Sequence, residues 1–355
     1  MHRCNFSLKG NYMKVLILGA NKPHNIEFNY AKYLNFDASI ICKIYPSYDF
    51  FADLLYKSII NKVVNRLNVD LLLGKINKDI LIRINQFQPD IVWVFKGMEI
   101  LPETIIEIKK KGAKVINYNP DHPFIFSGIG SGNKNVTKSF SLFDYHITYN
   151  TYLKEKIEQN FGIPTFLLPF GYELKNEVYE NVSSLDEINK VCFIGNPDKT
   201  RIRFITNLLE NNIQLTVFGH GWNSKLKRFS NCEIFDAVYH EKMWENMHRY
   251  RIQLNIFRDH NWGSHNMRTF EIPAIGGIQL APDTIEHRVF FEPEKEIFLY
   301  QDLPNCIIQI KKILAFNSDQ ATSLRLASRE RSINSNYSYK ERAKSVSCFF
   351  YSIIK

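Results

Sequence analysis

Short apolar runs alternate with amphipathic stretches along the chain, and the alternation is played through twice. In the first half the β-branched and leucine-rich run Met13-Lys14-Val15-Leu16-Ile17-Leu18 ends at Gly19-Ala20-Asn21 and is followed by a helical period over about 25–34. Further runs at Ala38–Tyr45, Ile91–Phe95, Val115–Asn119, Asp144–Asn150 and Thr165–Leu168 predict strands. Helical spacing over 47–67, 78–87 and 151–161 fills the gaps. One more helix opens at Leu101-Pro102-Glu103, with proline in its first turn and glutamate at its positive end, and stops at Lys109-Lys110-Lys111-Gly112. The stretch 125–139, with Gly128, Gly130 and Gly132 and no period, predicts a mobile loop.

The second half restarts after a polar segment, Lys175–Asn189, that lacks periodicity. Strands are predicted at Val191–Ile194, Ile213–Phe218, Cys232–Phe235, Arg251–Phe257, Ile278–Ala281 and Glu296–Tyr300. Helices are predicted from Asp198 to about Glu210, over 239–250, 284–291 and 339–353, and from an Asp302 cap to Phe316. Met243, Trp244 and Met247 on one side of the 239–250 helix read as core. Strand–helix alternation of this kind predicts α/β architecture with parallel sheets. The expected division is a first domain over 1–172, a second over 190–336 and a closing helix over 337–355.

Length and composition agree with that division. A chain of 355 residues, 45% apolar and 23% charged, suffices for two ordinary domains with their own cores. Six scattered cysteines without C-x-x-C spacing read as reduced and buried, and the expected compartment is the cytoplasm. No apolar run is long enough to span a bilayer, 1–12 is too polar for a secretory signal, and Met13 is a candidate start. Before residue 176 there are 22 basic and 15 acidic side chains, so +7 of the net +9 lies in the first half. That excess suits an anionic acceptor or peripheral contact with the inner membrane face, or is simply a lysine-rich surface. No aromatic and basic recognition motif accompanies the charge, so nucleic acid is not an expected partner.

Candidate chemistry concentrates in Ser264–Pro282, SHNMRTFEIPAIGGIQLAP. A helix beginning near Asn266 carries Arg268 and Glu271 one turn apart, stops at Gly276-Gly277, and leads into a buried strand. A helix start at the carboxyl ends of parallel strands favours an anion through its unpaired N–H groups. Arg268 is expected to hold a phosphate and Glu271 to accept from a sugar's hydroxyls. A second anion site is expected where Val191–Ile194 ends in Gly195-Asn196-Pro197 before Arg201 and Arg203. A third turn, Gly219-His220-Gly221-Trp222, lets backbone approach a ligand, with Trp222 expected along the cleft. In the first half the stiff turn Pro120-Asp121-His122-Pro123 offers Asp121 or His122 as a general base, the other reading being that Asp121 caps the segment after it. Neither G-x-G-x-x-G, a P-loop nor a D-x-D triplet occurs, and His260 with His265 lacks a third regularly spaced ligand, so no metal is expected.

The pattern N-x-R-x-F-E-x-x-A-x-G-G before an apolar strand resembles the donor-site motif of GT-B glycosyltransferases, closest to the spore maturation protein CgeB-like branch of the glycosyltransferase 4-like group. The glycine-x-glycine-tryptophan turn and the aspartate-proline turn are similar to ones in that family. The resemblance implies two Rossmann-like domains facing each other across a cleft. It implies a nucleotide-diphosphate sugar as donor, a glycan, lipid or protein acceptor, and no cofactor. Donor contacts fall on Gly195, Asn196, Arg201, Arg203, Gly219, His220, Trp222, Asn266, Arg268, Thr269, Phe270 and Glu271. Many relatives carry two glutamates spaced E-x7-E; Glu271 matches the second, and Gly263 stands at the first. Two other activities stay open beside transfer: a catalytically silent module that binds nucleotide sugar or glycan, and a sugar-nucleotide epimerase of the same shape.

Overall fold

The computed structural model describes residues 12–57, 73–126, 130–258 and 263–354. The chain forms two compact units, one of residues 1–169 with 339–355, the other of 170–338.

The first unit is one parallel sheet of six strands: β1 (Met13–Leu18), β2 (Ile40–Tyr45), β3 (Ile91–Phe95), β4 (Lys114–Tyr118), β5 (Tyr145–Thr148) and β6 (Thr165–Leu167), in the order β2-β1-β3-β4-β5-β6. Helices α1 (Ile26–Leu34), α2 (Ser47–Tyr56), α3 (Gly74–Phe87), α4 (Pro102–Lys110), α5 (Lys134–Ser139) and α6 (Thr151–Phe161) connect them. β3 is buried along its whole length, as expected of a central parallel strand covered on both faces. One face carries the aliphatic core of Leu16, Val92, Ile105 and Val115. The other is aromatic: Tyr30 and Trp93 lie 5.0 Å apart, and the helix Tyr339–Ile354 lays Phe350 edge-on to Trp93 at 5.3 Å. The part of the expected 47–67 helix beyond residue 57, and Gly128, lie outside the described residues. Asn133 caps α5 through its side chain, which places a helix inside the stretch expected to be a loop.

The second unit opens with α7 (Asn176–Ser183), in the segment whose polarity hid any period; Val182 is its buried residue. The sheet consists of β7 (Ile188–Ile194), β8 (Leu215–Phe218), β9 (Cys232–Phe235), β10 (Tyr250–Leu254), β11 (Gln279–Pro282) and β12 (Phe298–Tyr300), ordered β12-β11-β10-β7-β8-β9. Its strand order reverses between β7 and β10, where ligands bind in open α/β sheets. Helices α8 (Lys199–Glu210), α9 (Asn223–Leu226), α10 (His240–Arg249), α11 (Arg268–Ala274), α12 (Ile285–Phe290), α13 (Leu303–Leu314) and α14 (Ser318–Asn334) complete it. Nothing in the sequence pattern announces α14, because arginines hold it where an apolar stripe is usual. Arg325 donates to the carbonyls of His248, Gly276 (3.0 Å) and Tyr250 (3.2 Å), and Arg329 to Ala274. No described helix is long and apolar enough to cross a membrane.

Candidate functional site

Three turns meet at the carboxyl edge of β7, β8 and β10. The turn after β7 is held by Arg201, whose Nη1 donates to the Asn196 carbonyl (3.1 Å) while Nε and Nη2 donate to that of Ile256 (3.2 and 3.1 Å). One guanidinium thus ties the ends of the two strands at the switch point. Asp198 caps α8 by accepting from the Arg201 N–H (2.9 Å), and its other oxygen lies 3.6 Å from Arg201 Nε and 3.8 Å from Arg258 Nε. Burial draws the Arg201 guanidinium down to about 10; Asp198 opposes the fall, while Arg258 and Arg268 are near enough to add to it by repulsion. Arg258 is the half-exposed member of this cationic group, and the sequence reading missed it. It follows a strand without a local motif, and only the fold brings it beside Asp198.

Gly219 makes the second turn possible by contact with the first. A Cβ there would lie 2.3 Å from the Gly195 carbonyl oxygen. The His220 N–H donates to the Asn196 side chain (3.0 Å), and the His220 ring reaches Tyr239 (3.4 Å) at the exposed edge. Trp222 departs from expectation. It is fully buried, its indole N–H donating to the Gly195 carbonyl (2.7 Å), so it shapes the turn from below and cannot line a ligand. Arg203 lines a hollow of ≈ 240 Å³ with Thr200, Phe204, Ile256, Phe257 and Tyr300.

The third turn leads into α11. Asn266 and Asn255 exchange side-chain hydrogen bonds (2.7 and 3.1 Å), fastening the head of α11 to the end of β10. Three of the N–H groups at the helix start have partners: Thr269 donates to Asn266, and Phe270 and Glu271 to the Met267 carbonyl at 3.0 Å. α11 has seven residues, with Pro273 inside it. Arg268 and Glu271 do share one face, and they pair with each other: Arg268 Nη1 donates to Glu271 Oε2, whereas Arg268 Nε is buried with no protein acceptor. Thr269 and Phe270 are wholly buried, so they position this pair and do not touch a ligand. The Thr269 hydroxyl bonds His287 Nε2 (2.9 Å), whose Nδ1–H donates to the Pro282 carbonyl (2.7 Å); burial holds that histidine down at about 4, neutral. His265 is likewise engaged, with Glu286 (2.6 Å) and the Phe170 N–H (3.3 Å). His260 lies outside the described residues, and among those described no group of three His, Cys, Asp or Glu side chains forms a metal cage.

In the first unit Asp121 sits after β4, as expected, but it is ion-paired: Lys96 Nζ lies 2.6 Å from its carboxylate and donates to the Gly130 carbonyl (2.7 Å). His122 accepts the Phe124 N–H at Nδ1 (3.2 Å). Glu27, half-buried, and Glu99, buried, lie close by. Burial raises both, Glu99 to about 7, where it accepts from the Ser47 hydroxyl (2.6 Å).

Residues 200–347 match the family model described as Glycosyl transferase-like. No curated protein matches the sequence. Among solved structures, the chain is similar to sucrose-phosphate synthase from Thermosynechococcus elongatus (TM-score 0.69, 11% identity, 96% of this chain and 99% of that one). It is also similar to Anabaena HepE in complex with UDP-glucose (0.64, 9%, 96% and 100%) and to UDP-GlcNAc 2-epimerase from Neisseria meningitidis bound to UDP-GlcNAc (0.58, 13%, 96% and 100%). At such identities the likeness is one of fold, two Rossmann-like domains of parallel strands flanked by helices.

Proposed function

We propose that the chain is a GT-B glycosyltransferase that moves a sugar from a nucleotide-diphosphate sugar to a glycan, lipid or protein acceptor without a metal. The observation that carries this reading is the convergence of Arg201, Arg258 and Arg268 at the β7–β10 switch point. When the bond to the sugar breaks, negative charge builds on the departing diphosphate, and fixed cations stabilise it most where little reorganisation is needed. Arg201 is locked by three carbonyl bonds and serves mainly to hold the site open and positive. Arg258, half exposed, and Arg268, whose side chain keeps 27% of its surface exposed, are the groups that meet phosphate oxygens. Glu271, buried and oriented by Arg268, accepts from the ribose hydroxyls. Asp121 takes the acceptor's proton. UDP is the first nucleotide to try, since HepE and the epimerase carry UDP-sugars.

The test is a thermal-shift series with UDP, GDP, ADP, CMP and dTDP on the protein and on Glu271→Ala. A nucleotide at a hundred times its dissociation constant stabilises the folded state by about 2.7 kcal/mol. One nucleotide raising the melting temperature in a dose-dependent way, with the effect lost in Glu271→Ala, supports the reading. No shift with any of them at millimolar concentration removes it, and favours the glycan-binding form of the silent module, an alternative suggested by Gly263 standing where relatives carry a first glutamate.

A further inference from the structure

We propose that Lys96 is the positioning residue of the acceptor-activating site, clamping the Asp121 carboxylate so that it stays ionised and aimed. This deepens the transferase reading and rests on it, since it assumes that Asp121 takes the acceptor's proton.

Lys96 directly follows β3, and its backbone is left-handed at φ 59°, followed by Gly97 at φ 88°. A non-glycine residue with a long side chain costs energy there and persists only when its surroundings impose it. Here the Lys96 N–H donates to the Tyr118 carbonyl at the end of β4 (2.8 Å), and the Lys96 carbonyl accepts from the Asn117 side chain (3.3 Å). The turn throws the side chain across the carboxyl ends of β3 and β4. Its ammonium is fixed by Asp121 (2.6 Å) and Gly130 (2.7 Å) and lies over the Tyr48 ring (5.9 Å). Asp121 is fixed in turn by Pro120 and by its own N–H, which donates to the Asn119 side chain (3.0 Å). An ordinary surface ion pair needs none of this apparatus. Lys96 keeps 16% and Asp121 23% of its side chain exposed, so the pair is rigid yet within reach of a ligand.

The charged and titratable groups that face Lys96 are Asp121 from the turn after β4, Glu27 from α1, Tyr48 from α2 and Glu99 after β3; Asp49 of α2 faces Glu27. Burial alone lowers an ammonium, but Asp121 first, then Tyr48 and Glu27, outweigh it and hold Lys96 above the usual lysine range. The clamp is therefore charged throughout the working pH range. In the reaction the acceptor O–H gives its proton to the Asp121 carboxylate as the oxygen bonds to the anomeric carbon. The bond from that carbon to the diphosphate oxygen breaks, and its electron pair leaves with the nucleotide. A nearby cation weakens a base but keeps it ionised to lower pH, so Lys96 sets where activity falls off on the acid side.

The experiment uses the full chain labelled at aspartate carboxyl carbons, with Asp121→Asn to assign the signal. Removing the ammonium in Lys96→Gln is expected to move the Asp121 titration up by one unit or more, and Lys96→Arg to restore it. The reciprocal measurement follows the Lys96 ammonium in Asp121→Asn, where burial without the carboxylate is expected to move its titration down. It decides the matter even if Lys96→Gln fails to fold. UDP released from UDP-glucose across pH 4–9 gives the functional readout. In Lys96→Gln the acid limb is expected to rise in step with the carboxyl signal. Titrations that stay put in either variant overturn the clamp, and so does a moved carboxyl signal with an unmoved acid limb. Absence of UDP release from the unmodified protein, with both titrations moving, counts against the transferase reading while leaving the Lys96–Asp121 coupling established.

Discussion

Replacing Gly219 with alanine tests whether the turn after β8 is built on the turn after β7. The added methyl would sit 2.3 Å from the Gly195 carbonyl oxygen, 2.9 Å from its carbon and 2.9 Å from Trp222 Nε1. Two of those three atoms are backbone, so no side-chain rotation relieves the contact. Overpacking of this kind costs about 1–3 kcal/mol. Relief by separating the turns breaks the Trp222–Gly195 hydrogen bond and strands a buried indole donor, a further loss of about 1–3 kcal/mol. For a unit of this size each kcal/mol lowers the melting temperature by roughly 2–4 °C, so a drop of roughly 4–24 °C is expected. Gly221→Ala is the control: its methyl meets only Pro197 at 3.5 Å, and the penalty is that of a left-handed alanine (φ 91°), about 1–2 kcal/mol. The assay is thermal unfolding of both variants beside the parent, followed by nucleotide titration. If Gly219→Ala melts within about 2 °C of the parent, or falls less than Gly221→Ala, the stacked-turn account is wrong.

Three further outcomes are expected. His146 and His287 are buried and held at about 4, whereas a free histidine titrates near 6.5, so the unfolded chain takes up protons first as the pH falls. Stability is then full above about pH 6.5 and is lost toward pH 4, by about 3 kcal/mol per histidine, measurable by urea unfolding at stepped pH. Glu187 is pushed up by burial but held below the usual carboxylate range by hydrogen bonds from Arg251 and Arg325; its contribution is present above about pH 4 and lost as the pH falls through its lowered folded value. Glu187→Ala strands two largely buried guanidinium groups and is expected to cost about 2–4 kcal/mol in urea unfolding at pH 7, scaled down from a fully buried pair because Glu187 is partly exposed. Arg329→Ala removes the donor to the Ala274 carbonyl at the end of α11 and is expected to weaken nucleotide binding severalfold in calorimetric titration, although Arg329 lies on α14, outside the three turns of the candidate site.

The alternation of apolar runs was enough to place both sheets, because fully buried parallel strands announce themselves as continuous hydrophobic segments. The motif around Glu271 was readable for a similar reason: an arginine and a glutamate three apart on a helix must share a face, and they do. Features whose cause is not local were not readable. α14 buries Ala321, Ser328 and Ser332, small residues that carry no periodic apolar signal, and is held by arginines reaching carbonyls in distant segments. Trp222 follows a glycine turn and looks like a ligand wall, yet the backbone closes over it. Lys96 is one of many lysines, and only the pairing of β3 with β4 brings it to Asp121. Arg258 gains its meaning from Asp198, sixty residues earlier.

The helix Tyr339–Ile354 belongs to the first unit although the whole second unit separates it from β6 in sequence. During synthesis at about 5–20 residues per second, the ribosome adds the intervening stretch over roughly 10–30 seconds before that helix exists. For this interval Tyr30 and Trp93 lack the cover that Tyr339 and Phe350 later provide, and an aromatic face of the nascent first unit stands open to water. The second unit has no such debt to later sequence and can close first. The first unit can therefore be completed only after the whole of the second has been translated.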